Sequence, residues 1–254
     1  MASVIGYYAS IAVLLNTFDQ QLPHGQKPLL PTLAENIAHP VAAQKFSAAS
    51  GTSESEYAAS LPKDVYPDSG NRLPLIKRED LDEAGKALYD NVVAETNPVP
   101  GLHGPPGIWL YSPRLHEHIR KETQYLRRDA ALGPRLFELA VQVTAREANQ
   151  QFAWTAHEIA GRRAGLEQSI IDIVKFRKPV TGLTDKEAVI IQLGREAFGK
   201  RKVSSDTFAR ALKLFGKEEL VDLVWLMGKY ASIAVLLNIF DQQLPPGWEP
   251  LLPM

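Results

Sequence analysis

Residues 138–166 read ELAVQVTAREANQQFAWTAHEIAGRRAGL, and the fold turns on whether this stretch is one helix or two. As a single helix it would hold Glu138 and His157 on different faces, about 28 Å apart along the axis. Asn149 offers a break, because its side-chain oxygen can accept a bond from a free amide and start a new first turn. Two helices are therefore expected, about residues 134–148 and 150–164, folded back as a hairpin. Glu138 and His157 then face each other across it. Gly165 suits the left-handed residue just past the second helix, and Arg162 and Arg163 suit the negative end of its dipole.

With a glutamate at 138, a histidine at 157 and an Ala-Gly-Leu turn at 164–166, the stretch resembles the alkylhydroperoxidase/carboxymuconolactone decarboxylase family. That family places Cys-x-x-Cys before the histidine, and here Gln150 and Ala153 stand at the thiol positions. The decarboxylase branch carries Glu-Trp-x-x-His. This chain reads Ala153-Trp154-Thr155-Ala156-His157, which keeps the tryptophan and histidine without that second glutamate. The resemblance covers about residues 73–227. It implies an all-α, AhpD-like helical bundle with a central hairpin, assembled as a homo-oligomer. Peroxide reduction needs a low-pKa thiolate and a second thiol to resolve it. The chain has no cysteine, so it is not a thiol peroxidase.

Composition narrows the remainder. The 254 residues are 45% hydrophobic, sufficient for a real core, and the net charge is −1 with no basic block. Neither nucleic acid nor an anionic membrane is expected as a partner. Absent cysteines exclude disulfides and thiolate zinc sites. The apolar run at residues 4–15 has no preceding Lys or Arg, the first being Lys27, and is too short to span a bilayer. A soluble, cytoplasmic protein is expected.

A long repeat organises the chain. Residues 6–31 (GYYASIAVLLNTFDQQLPHGQKPLLP) and 228–253 (GKYASIAVLLNIFDQQLPPGWEPLLP) are identical at 21 of 26 positions. Each copy reads as a helix of three to four turns, over 8–20 and 230–242, followed by a proline-rich tail. A tandem duplication whose first unit shrank to its last helix explains this. Left bare, Ile11, Val13, Leu14, Leu15 and Phe18 would form an apolar patch, so the first copy is expected to dock, in its own subunit or bridging to a neighbour's in an oligomer, rather than hang loose as a relic. The expected division is 1–31 for this copy, 32–72 for a linker and lead-in segment, and 73–254 for the main domain.

Residues 33–47 suggest a weak helix, 47–60 a polar linker, and 62–74 an extended lead-in. Helices are then expected over 80–95, with an apolar stripe at Leu81, Ala84, Leu88 and Val92, and from Pro113, capped by Ser112, to about 128. Further helices follow over 167–175, 184–199 capped by Thr184, 205–215 and 217–242. Residues 97–111, rich in proline and glycine, are expected to be non-helical. No stretch alternates as a sheet strand would.

Glu138 and His157 head the candidate residues. They act as a proton-transfer pair, the imidazole as acid or base and the carboxylate orienting it, or as a buried tie between helices. Trp154 shares a helix face with His157 and is either pocket wall or core. The 101–109 loop resembles a pocket-lining segment of the decarboxylase branch and brings His103 and Trp109. Gln150 joins the substrate-binding candidates at the first thiol position. Arg146, beside Glu147, binds an acidic substrate or pairs on the surface. His116 and His118 point apart on one helix, and no spacing suggests a metal site. Serine triads and phosphate cradles are unsupported, and no cofactor is expected. Two functions follow: a cofactor-free decarboxylase-like enzyme acting on a small cyclic or lactone acid, or a non-catalytic small-molecule-binding or assembly protein that kept the fold.

Overall fold

A computed structural model describes residues 53–94 and 102–253. They are all-α, as expected, and the β feature among them is an isolated antiparallel bridge between Tyr66 and Asn71. The helices are α1 (Glu54–Ser60), α2 (Glu83–Ala94), α3 (Pro105–Trp109), α4 (Pro113–Gln124), α5 (Gly133–Glu147), α6 (Gln151–Arg163), α7 (Gln168–Lys175), α8 (Asp185–Gly194) and α9 (Ser205–Ile239). Wide π-turns extend α4 over Tyr125–Asp129 and α8 over Arg195–Lys200. Gly216, at φ 72°, breaks α9 into two segments. The first copy of the repeat and the weak helix expected over 33–47 lie outside the described residues.

Everything is built on α5. Nine consecutive residues from Phe137 to Ala145 are buried, and the helix packs on α6, α8 and α9. A helix buried all round must satisfy its polar groups internally. Thr144 Oγ1 accordingly donates to the Ala140 carbonyl at 2.9 Å, and Gln142 Nε2 to the His157 carbonyl at 3.0 Å, although Gln142 Oε1 is buried without a partner among the described residues. The neighbouring helices come close because glycines face α5. A Cβ on Gly161 of α6 would lie 2.3 Å from Gln142 Nε2, and one on Gly194 of α8 would lie 2.3 Å from Val143 Cγ1. Gly194→Ala is expected to cost about 1–3 kcal/mol through overpacking. Val143→Ala in the same chain should recover much of it, read as a coupling energy in urea unfolding. Simple additivity of the two changes would refute the direct contact.

The segment before α2 folds back on the end of α9. Gln242 is its clasp: Oε1 accepts from Asn71 Nδ2 at 3.0 Å and from the Gly104 amide at 3.1 Å, while Nε2 donates to the Ser69 and Gly70 carbonyls. Main-chain bonds from Arg72 to Phe240 and from Gln243 to Gly70 flank it.

Several local expectations are corrected. Part of the polar linker is helix α1, started by a capping box in which Ser53 and Glu56 each bond the other's backbone amide. The proline-rich loop contains α3, because Pro105 and Pro106 occupy first-turn positions whose amides have no helical partner anyway. Asn149 does not cap α6. It takes the left-handed conformation, φ 49°, and its side-chain oxygen accepts from Arg146, while Gln150 caps instead through the Ala153 amide at 3.1 Å. The last helix ends at Ile239 rather than 242, with Asp241 left-handed at φ 49° just beyond. Ser112 stands at the start of α4 but makes no side-chain cap bond. α9 is long and apolar enough to cross a membrane, and 61% of its most apolar window is buried in the fold, as in a core helix.

Candidate functional site

Glu138 lies in the second turn of α5 and His157 midway along α6. The left-handed turn at Asn149 reverses the chain and brings them together, His157 Nδ1 standing 2.6 Å from Glu138 Oε2. Because a carboxylate only accepts, Nδ1 carries the proton. Nε2, on the far side of the ring, makes no hydrogen bond among the described residues.

Two residues from distant elements complete the cluster. Arg127, on the π-turn after α4, donates from Nη1 to Glu138 Oε1 at 3.2 Å and from Nη2 to the Tyr230 hydroxyl at 3.4 Å. Its guanidinium lies 4.3 Å from the centroid of the Phe137 ring, a cation–π contact that fixes its plane. Tyr230, on α9, sets its ring edge-on to His157, with centroids 4.9 Å apart. Exposure rises across the group, from 4% for the Glu138 side chain through 16% for His157 to 43% for Arg127. The cluster therefore meets solvent on the Arg127 side.

Burial alone would raise the Glu138 carboxyl, but the charge and hydrogen bonds of His157, then of Arg127, outweigh it and hold the group below its ordinary value. Burial opposes the charge on Arg127, yet Tyr230 and Glu138 raise its pKa further. Burial likewise pushes the Tyr230 phenol up, keeping its proton on. The arrangement is a fixed carboxylate holding the imidazole ring in one orientation through Nδ1, with a permanent cation alongside.

The other sequence candidates lie elsewhere. Trp154 is fully buried, and its indole N–H donates to Glu158 at 2.6 Å rather than lining a space beside His157. Gln150 caps α6 and donates to Asn238 at 2.9 Å. Arg146 bonds the Lys175 carbonyl at 2.8 Å, while Glu147 pairs with Arg177, so the two do not pair with each other. Trp109 packs against His116, with ring centroids 5.6 Å apart. His103 sits beside Gly70 in the clasp, and burial lowers its pKa. His118 is exposed. Among the described residues no group of three His, Asp or Glu side chains could hold a metal. An open groove of about 420 Å³ lies between the starts of α5 and α8, lined by Pro134, Arg135, Thr184 and Lys186, with neither Glu138 nor His157 in its lining.

Sequence reasoning missed Arg127 and Tyr230. Tyr230 carried a signal, since it lies in the repeated segment and has a counterpart in Tyr8. Arg127 carried none, being one of two adjacent arginines outside any motif. Comparison with protein-family models, curated proteins and solved structures gives no match for this chain.

Proposed function

We propose that this chain is a cofactor-independent acid–base enzyme with an AhpD-like fold, acting on a small cyclic or lactone carboxylic acid in the manner of carboxymuconolactone decarboxylases. The observation that supports it is the 2.6 Å bond between His157 Nδ1 and a buried Glu138, which leaves Nε2 without a protein partner among the described residues. Decarboxylation breaks the carbon–carbon bond to the carboxylate and releases carbon dioxide. The electron pair passes into a conjugated carbonyl as an enolate, and Nε2–H of the imidazolium protonates carbon. Glu138 stabilises the imidazolium and keeps Nδ1 protonated afterwards, and water restores the transferred proton. Isomerisation or elimination would use the same groups. The reading also carries a cytoplasmic homo-oligomer with the repeated segment 6–31 at a subunit interface. In the second copy Ile233, Ala234, Leu236 and Leu237 are buried, and the first copy keeps all four residue types at Ile11, Ala12, Leu14 and Leu15.

The test is turnover of a panel of carboxylactones, followed by carbon dioxide release. Wild type is expected to be active, and His157→Ala and Glu138→Gln each to lose about 10²–10⁴-fold in kcat/KM while the protein stays folded. A second reading, a non-catalytic descendant, is favoured by how tightly the hairpin is filled, with Gln142 pressed on Gly161 and Trp154 in the core. On that reading no substrate turns over, and each substitution costs about 1–3 kcal/mol as a broken buried pair.

A further inference from the structure

We propose that Arg127 is the docking point for a carboxylate monoanion, held beside His157 by the guanidinium edge left free. A guanidinium has five N–H donors, and Arg127 uses two among the described residues, one on Glu138 and one on Tyr230. The three others belong to a side chain 43% exposed. Its position is nonetheless fixed from three sides: Phe137 below the plane, Glu138 on one nitrogen, Tyr230 on another. A surface arginine free to rotate would have to be ordered on binding, and this one is already in place.

The guanidinium sets the chemistry of the ligand. Its one carboxylate partner among the described residues, Glu138, is shared with His157, so the Arg127 charge is only partly met and favours an incoming anion. The other nearby cation, Lys229, is buried on Glu122 at 3.0 Å and on the Ile119 carbonyl. A planar monoanion also matches the fork of an arginine with two parallel hydrogen bonds. Arg127 and His157 share two neighbours, Glu138 and Tyr230, so an acid held on the free edge lies beside the imidazole. Arg127 lies on a π-turn, closed by the bond from the Ala130 amide to the Tyr125 carbonyl at 3.0 Å. Such turns recur at functional sites.

The site is that of the proposed enzyme, and the inference rests on that reading for the reaction but not for the binding. Binding is measured without turnover, by titrating the full chain with acetate at constant ionic strength and following the His157 ring-nitrogen signals by NMR, with acetamide as the uncharged control. A saturable shift with acetate and none with acetamide is expected. Arg127→Lys, which keeps the charge but not the fork, should weaken it about tenfold or more, and Arg127→Met should abolish it. Near-UV circular dichroism checks that both variants keep the fold. If Arg127→Met unfolds, the lysine variant decides. No saturable shift in wild type, or equal affinity in wild type and Arg127→Lys, would overturn the proposal. Arginine-dependent binding with no turnover of any carboxylactone would leave the site standing and remove the enzyme. Turnover with unaltered affinity in Arg127→Lys would do the reverse.

Discussion

Glu158→Gln is expected to destabilise the protein by about 3–5 kcal/mol, the cost of leaving a buried cation without its counter-charge. Glu158 is fully buried in α6, and three donors converge on it. Trp154 Nε1 lies 2.6 Å from Oε2, Lys175 Nζ lies 2.8 Å from the same oxygen, and Arg162 Nη2 lies 2.5 Å from Oε1. Arg162 reaches solvent, with 53% of its side chain exposed, whereas the Lys175 side chain is 11% exposed and has few alternatives. Glutamine keeps the shape and removes the charge, so the loss falls on Lys175. Adding Lys175→Met to Glu158→Gln should recover more than half of it, because the unpaired charge is gone while the amide oxygen can still accept from the Trp154 indole. Equilibrium urea unfolding reads both effects. A loss below about 1 kcal/mol for Glu158→Gln would show that water or Arg162 compensates fully.

The second large effect is acid sensitivity centred on Glu196. Its side chain, 4% exposed on the π-turn after α8, accepts from the Ser204 amide at 2.8 Å and from Gln192 Nε2 at 2.8 Å. Burial pushes its pKa up, but those bonds, with the Ser204 and Thr207 hydroxyls, hold it down to about 2 from an ordinary 4.5. A carboxyl depressed in the folded state stabilises fully above its unfolded pKa and loses that contribution as pH falls through the folded value. The window is therefore from 4.5 down to about 2. The shift corresponds to about 3 kcal/mol at neutral pH. Wild type should exceed Glu196→Gln by roughly that amount near pH 6, and by less than half of it at about pH 3. Unfolding curves for both proteins across this range give the gap. A gap that does not change with pH would mean the carboxylate titrates normally.

The all-α class and the hairpin were legible in the sequence because they rest on local rules. Residue spacing, the turn near 149 and Gly165 all act within one stretch, and the Glu138–His157 contact spans only 19 residues. What lay beyond reach depends on tertiary placement. Tyr230 and Arg127 meet across 103 residues, and nothing near either announces the other. Trp154 was readable both as pocket wall and as core. Its indole N–H needed a partner, and Glu158, four residues on, is the one that settles its place in the core. Gln150 and Arg146 show how polar residues near a turn are taken by the backbone before any ligand, the first as a cap, the second on a carbonyl. The prolines of α3 misled for a related reason, since a ring that breaks a helix inside it is harmless in its first turn.

The clasp at Gln242 also sets an order of events. A hairpin contact across 19 residues closes early, whereas Asn71 must wait for a partner 171 residues further along the chain. During synthesis the turn at 69–71 is made first and locked last, with its buried amide groups wet in the interval. Folding should therefore finish at the rim, well after the Glu138–His157 pair has formed. A chain arrested before residue 242 would hold that pair without the lock between residues 69–71 and 242.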